Sequence, residues 1–208
     1  MTGDRNGPPG HGRQDLDRRL VTVAREILEQ DGLEALTLRA AARRAGVSHM
    51  APYRHFESKD DLLAAVAAQG FEGLKHAMDR ATAGAITPQA KLDDLGVAYV
   101  SFAISTPALY RLMFGANLPN RSRFPGLVSA GAEAFQCCIG VIDPGTKRAP
   151  QNNEPARCSP KAIAFWALVH GLACLAIDEL VYLPAKGDGA LGEEIEKLLK
   201  EANFSVAA

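Results

Sequence analysis

The sequence is short of the residues that build secreted, metal-binding or membrane-spanning proteins. Its 208 residues include four cysteines, Cys137, Cys138, Cys158 and Cys174, and no two of them form a C-x-x-C pair. With no secretory signal ahead of them, this argues against a disulfide framework and for reduced thiols packed in a core, in a cytoplasmic protein. An excess of charge of one sign is missing too. Lys and Arg total 23 against 24 Asp and Glu, a net −1, so whole-chain charge selects no partner and local charge must be read instead. The longest apolar run, residues 162–177, is interrupted by His170 and Gly171 and followed at once by Asp178 and Glu179. It falls short of a convincing membrane span and reads as a helix buried all round inside a bundle, with no membrane partner. No stretch alternates with period two for long enough to make a strand, and "GLVSAG" lacks the G-x-S-x-G spacing of a hydrolase elbow. What remains is helix.

Residues 1–13, rich in Gly and Pro with nothing to bury, read as a disordered arm. Leu16, Leu20, Val23, Ala24 and Ile27 then recur at the helical period until Gly32. Thr37 can cap a short second helix that buries Leu38, Ala41, Ala42 and Ala45 and stops at Gly46, and Ser48 can cap a third. Ser58, with Asp61 three positions on, opens a long fourth helix with an apolar stripe from Leu62 to Met78. Pro88 starts a fifth carrying Leu92, Leu95, Tyr99 and Phe102, and a short amphipathic piece follows from Ala108. Helical character returns over about 126–142, about 160–182 and about 191–204, the first two separated by a Pro- and Asn-rich segment that reads as a surface loop. The fold class is all-α, with a helix-turn-helix domain over 14–60 and a larger helical bundle over 61–208.

Residues 45–59, "AGVSHMAPYRHFESK", gather two histidines, a tyrosine, an arginine and a lysine. If Ser48 is an N-cap, Pro52 and Phe56 share one face, pack with Val47 on the small residues Ala41, Ala42 and Ala45, and leave His49, Met50, Tyr53 and Arg54 outside. Pro52 deletes a backbone donor, so the regular part of this helix should begin late. Two short helices joined by a tight "AGVS" turn have helix-turn-helix geometry. From Thr37 to Lys59 the positive residues are Arg39, Arg43, Arg44, Arg54 and Lys59, against Glu57 alone, which puts local positive charge where phosphate would lie. Metal binding fits poorly, because neither His49 with Tyr53 nor His55 with Lys59 supplies converging ligands. Neither a metal nor a cofactor is expected.

The run "TLRAAARRAGVSHMAPYRHFESKDDLL", residues 37–63, resembles the TetR-like (tetracycline-repressor-like) bacterial transcription regulators, most specifically through "YRHFESKDDL". It departs from that family's commoner pattern at Pro52, where a leucine or isoleucine usually packs. "FWALVHGLA" looks like the Trp-His-Gly motif of one branch of the family. The resemblance implies that Tyr53 and Lys59 grip phosphates, that Thr37 and Arg39 contact backbone or base, and that Arg43 or Arg44 adds backbone contacts. Ser48, His49, Met50 and Ala51 are the candidates for reading base edges, and His55 is either a phosphate contact or a structural hydrogen-bonding group.

The larger half is expected to dimerise through its last two helices, so that two recognition segments face one pseudo-palindromic duplex. It is also expected to hold a small apolar or aromatic effector, with Phe71, Tyr99, Phe102, Met113, Phe114, Trp166 and His170 as candidate contacts. His170, inside the apolar run, needs either a buried polar partner or a ligand. Two other readings stay open: an all-α enzyme with a site near His170 and Asp178, and a protein-interaction module without DNA binding, at which Pro52 hints.

Overall fold

Short polar residues and glycines set the helix ends of this chain, and the computed structural model shows how. The structure describes residues 11–118, 120–144, 159–183 and 190–202, the side chains of 11–14 excepted. Within them lie α1 (His11–Asp31), α2 (Leu38–Arg44), α3 (Lys59–Thr82), α4 (Pro88–Ser105), α5 (Pro107–Phe114), α6 (Pro125–Ile142), α7 (Pro160–Ile177) and α8 (Ala190–Glu201). Two 3-10 turns, Pro52–Arg54 and Arg121–Arg123, complete the regular structure, and no strand occurs among the described residues. The fold class is all-α, as expected.

Thr37 caps α2 by accepting a hydrogen bond from Ala40 N at 3.0 Å. The other end of α2 closes in a Schellman arrangement: Gly46, at φ 67°, lets its own N–H reach Arg43 O while Val47 N–H reaches Ala42 O. Ser58 and Asp61 make a reciprocal capping box, in which Ser58 Oγ accepts from Asp61 N at 3.2 Å and Asp61 Oδ2 accepts from Ser58 N at 2.7 Å. Thr87 caps α4 by accepting from Ala90 N, with Pro88 in the first turn.

Four expectations need correction. Helix α1 begins at His11, so the arm expected over 1–13 is already helical at 11–13; residues 1–10 lie outside the described residues, as do Cys158 and Phe204. The third helix is a single 3-10 turn, and Ser48 is not its side-chain cap: Ser48 offers its carbonyl to Ala51 N, and the turn starts four residues after it, at Pro52. Pro52 has no N–H to close an α-helical turn, which shortens the element to Pro52–Arg54. The predicted burial holds even so, since Pro52 and Phe56 are buried over Ala41, Ala42 and Ala45.

The fourth correction concerns α7, which is not buried all round. It buries only Ala162, Phe165, Val169 and Ala173, and leaves Ile163 half exposed and Leu175 41% exposed. It also stops at Ile177 rather than near 182, because Glu179 adopts a positive φ and the N–H groups of Glu179 and Leu180 turn back to Ala176 O and Leu175 O. Helices α6 and α7 are each 18 residues long and apolar enough, by length and composition, to cross a membrane. In this fold they are two layers of the bundle.

Helix α3 is the shared element. Its first turns pack on α1, and the rest meets α4, α5 and α6, so one continuous core runs through both halves and the expected boundary at 60/61 falls inside the first turn of α3. Helices α7 and α8 both dock on α4. Removing the start signal of α3 should therefore weaken the whole molecule. Ser58→Ala and Asp61→Ala are each expected to cost about 1 kcal/mol, and because the two bonds are reciprocal the double variant should cost less than their sum. Urea titration of the three variants checks this, and strict additivity would show that the box does not act as a unit.

Candidate nucleic-acid interface and ligand cavity

The cationic segment combines exposed side chains with others that are turned inward or tied to α1 and the loop after it. Arg39 on α2 and His49, Met50 and Tyr53 from the following turn line one shallow concavity. Met50 is 56% and Tyr53 51% exposed, unusual for large apolar groups on a surface. Thr37, Arg43, Ser48 and Arg54 are exposed around them, and Ala51 is half-buried. The Schellman turn at Gly46 brings these two stretches to one side of the head.

Three of the expected contacts are engaged elsewhere. Arg44 lies 3.2 Å from Asp31 and 3.9 Å from Glu26 and also donates to Gln30 Oε1, so its charge is balanced by α1. His55 is turned inward: its side chain is 7% exposed and Nδ1 lies 2.5 Å from Asp17 Oδ1, off the alignment of a good hydrogen bond. That placement turns the imidazole toward α1 and away from solvent. Lys59, half-buried, donates from Nζ to Leu33 O at 3.2 Å and so ties the start of α3 to the loop after α1.

The second site is a cavity of about 280 Å³. One wall is Phe71 and Leu74 of α3, another is Ala134, Phe135 and Cys138 of α6. Tyr99, Phe114, Trp166 and Arg121 complete it, with Gly131 and Ala132 of α6 beside them. Of the seven expected ligand contacts, Phe71, Tyr99, Phe114 and Trp166 meet there. Phe102 instead packs near Gly73, Met113 is fully buried against Gly70, and His170 stands behind the wall. Burial pushes the Cys138 thiol up to about 12, so this wall is neutral.

His170 has the polar partners its position requires. Its Nδ1 lies 2.6 Å from Tyr110 Oη and 3.0 Å from Tyr99 Oη, the two hydroxyls are 3.0 Å apart, and Trp166 Nε1 donates to Tyr99 Oη at 3.2 Å. Burial raises both phenols above their ordinary range and lowers His170, so the cluster is neutral near pH 7. Asp178 does not join it. That carboxylate pairs with Arg111 at 2.6 Å on the surface, so the two residues the enzyme reading relied on are not brought together.

Sequence reasoning missed Arg121, Leu74, Phe135, Cys138 and Tyr110. Tyr110 carried a signal, since it lies on the amphipathic piece after Ala108 and is buried there. Arg121 carried none, because it follows an irregular stretch and only the fold turns it toward α5. There its guanidinium Nη2 donates to Met113 O and Gly115 O, the carbonyl end of that helix.

Comparison with known proteins places both halves. Residues 20–66 match the model described as "Bacterial regulatory proteins, tetR family", and residues 92–198 match "Tetracyclin repressor-like, C-terminal domain". The HTH-type transcriptional regulator Rv1816 of Mycobacterium tuberculosis is 28% identical over 117 residues, 55% of this chain and 50% of that one. The HTH-type transcriptional repressor KstR of Mycolicibacterium smegmatis is 34% identical over 81 residues, 39% of this chain and 40% of its own. The chain thus spans about half the length, or less, of the curated relatives it matches.

Among solved structures, a Rhodococcus sp. RHA1 protein of unknown function superposes with a TM-score of 0.71 at 32% identity, covering 96% of this chain and 97% of that one. The multidrug binding protein EbrR, complexed with imidazole, shares the fold with a TM-score of 0.65 at 20% identity and full coverage of both chains. The Bacillus subtilis transcriptional regulator FadR, in complex with stearoyl-CoA, does so at 0.61 and 16%, covering 88% and 96%. With the N-terminal model on the helix-turn-helix and the C-terminal model across the bundle that holds the cavity, the chain belongs to the tetR family of bacterial regulatory proteins.

Proposed function

We propose that this chain is a dimeric, cytoplasmic DNA-binding transcriptional regulator, released from a pseudo-palindromic operator when a small molecule occupies the α3/α6 cavity. The observation that carries the reading is the outward concavity of Arg39, His49, Met50 and Tyr53. It combines a cation for phosphate with exposed polar and apolar tips for base edges, on a short element that can enter a major groove. Arg43 and Arg54 flank it as backbone contacts. Lys59 contributes charge from the first turn of α3, where it also holds Leu33.

One such element reads too few bases for specificity, so a second copy is needed at a spacing of about 34–36 Å. Helix α7 supplies the means. Ile163, Ala164, Ala167 and Leu175 leave an apolar stripe on its outer face, and α8, like α7, docks on α4. A four-helix contact with the same pair in a partner would cover that stripe. The relatives named as regulators and as a repressor support transcriptional control, and the imidazole and stearoyl-CoA complexes of EbrR and FadR support ligand control on this fold.

Two outcomes are expected. On a duplex enriched by the protein from its own genome, Arg39→Ala and Arg43→Ala should each flatten the slope of log affinity against log salt by about 1. Arg44→Ala should leave that slope unchanged and lower stability instead, since Asp31 and Glu26 already balance its charge; fluorescence anisotropy across a salt series separates the cases, and three equal slopes would sink the assignment. Leu175→Glu should yield a monomer by sedimentation equilibrium and lose tight binding to the palindrome, because an interfacial carboxylate would be desolvated without a partner. A wild-type chain that sediments as a monomer on its own and with DNA would overturn the dimeric reading.

A further inference from the structure

Charge in and around the cavity is lopsided, and this narrows the chemistry of its guest. Three aromatic rings, Phe71, Phe114 and Trp166, face a wall of small or apolar side chains from α6, so most of the surface offered is apolar and flat. Among the described residues the one ionised lining group is Arg121. Its Nη2 is used on Met113 O and Gly115 O, while no carboxylate among the described residues lies within ion-pair distance of it. Burial disfavours this cation and lowers its affinity for the proton. A half-buried guanidinium with only carbonyl dipoles for company is a good receptor for an anion, which it can hold by two parallel N–H bonds.

Tyr99 adds a second polar point. Trp166 Nε1 donates to its oxygen, and Tyr110 Oη and His170 Nδ1 each lie 3.0 Å from it, so Tyr99 has one proton to place, within this cluster or on an acceptor in the cavity. Among the described residues the lining holds no Asp or Glu, so an aromatic cation would meet an uncompensated positive charge. The volume, at the small end of ligand pockets, suits a guest of about two fused rings.

We propose that the effector of this protein is a compact aromatic monoanion, its carboxylate on Arg121 and its ring between the α3 and α6 walls. The inference rests on the reading of the cavity as the effector site and adds the charge of the guest. A bound carboxylate would share the guanidinium that now serves the carbonyl end of α5, so occupancy reaches that helix directly.

The test uses three near-isosteric probes on the full chain: 2-naphthoate, its neutral amide and its cationic amidine, titrated by isothermal calorimetry. Naphthoate should bind at least about tenfold tighter than the amide, and the amidine weakest of all. Arg121→Met should remove the preference for naphthoate and leave amide affinity within about twofold, while Arg121→Lys, which keeps the charge, should restore part of it. Gly131→Leu locates the binding, since a Cβ there meets only the Phe71 ring at 3.7 Å, so the side chain can fill the cavity and should block all three probes. Equal affinities for the three, a preference that survives Arg121→Met, or silence from all of them would overturn the proposal. Binding of the amide or amidine that lowers DNA affinity would do so while leaving the ligand-controlled regulator standing; loss of DNA binding itself is read separately, by anisotropy without probe.

Discussion

A single rod, α3, imposes its geometry on everything else. The capping box at Ser58 and Asp61 fixes where it starts, and from there 24 residues run without a break from the head to the cavity wall. Its early residues Leu62, Leu63 and Val66 complete the core of the head, while Phe71 and Leu74, only two to three turns later, face the guest. A helix of this length is stiff compared with the loops around it. Any adjustment that a ligand forces on Phe71 must therefore be absorbed by tilting the rod or by repacking its neighbours, and the head lies on the same rod.

Helix α5 makes the second connection. Glu29 of α1 accepts a hydrogen bond from Leu109 N in its first turn, and Arg121 serves the carbonyl end of the same eight residues. Between those ends Tyr110 meets His170 and Phe114 lines the cavity. Gly70 of α3 allows the close approach: a Cβ there would sit 2.6 Å from Met113 Sδ, so a larger residue would force the side chains of α5 to shift. The head and the cavity are thus joined by two packed helices that share an interface, which is a physical route for coupling whichever way the equilibrium is biased.

Where an element was legible in the sequence, a local chemical cause was enough. Thr37, Gly46, Ser58 and Pro88 each act within four residues of themselves, through a side-chain oxygen, a positive φ or a missing donor, and each stands where the sequence placed it. The recognition segment was half legible. Pro52 warned of a late start, but competition between a full helical turn and one 3-10 turn is decided by how Pro52 and Phe56 seat on the alanines of α2, which is tertiary. The fate of the cations was not legible at all: Arg43 and Arg44 are neighbours in sequence, yet only Arg44 reaches the acids at the end of α1. Composition likewise identified the aromatics of the cavity but not Arg121, whose distance from the other lining residues along the chain hides it until the helices are assembled.

The apolar helix α7 shows how one polar group can organise such a surface. A helix rich in Ala, Leu and Ile could rotate about its axis at small cost, because nearly every face is equally greasy. His170 removes that freedom. With Nδ1 on Tyr99 and Tyr110, rotation would strand the imidazole and leave the hydrogen-bonded Tyr99–Tyr110 pair short of a partner, which is costly in an apolar setting. The network therefore pins α7 to α4 and α5 in one register, and that register decides which of its residues, Ile163 and Leu175 among them, point outward for a second copy. The same three side chains stand against the cavity through Tyr99, so the orientation of the dimer face and the shape of the ligand site are set by one set of hydrogen bonds.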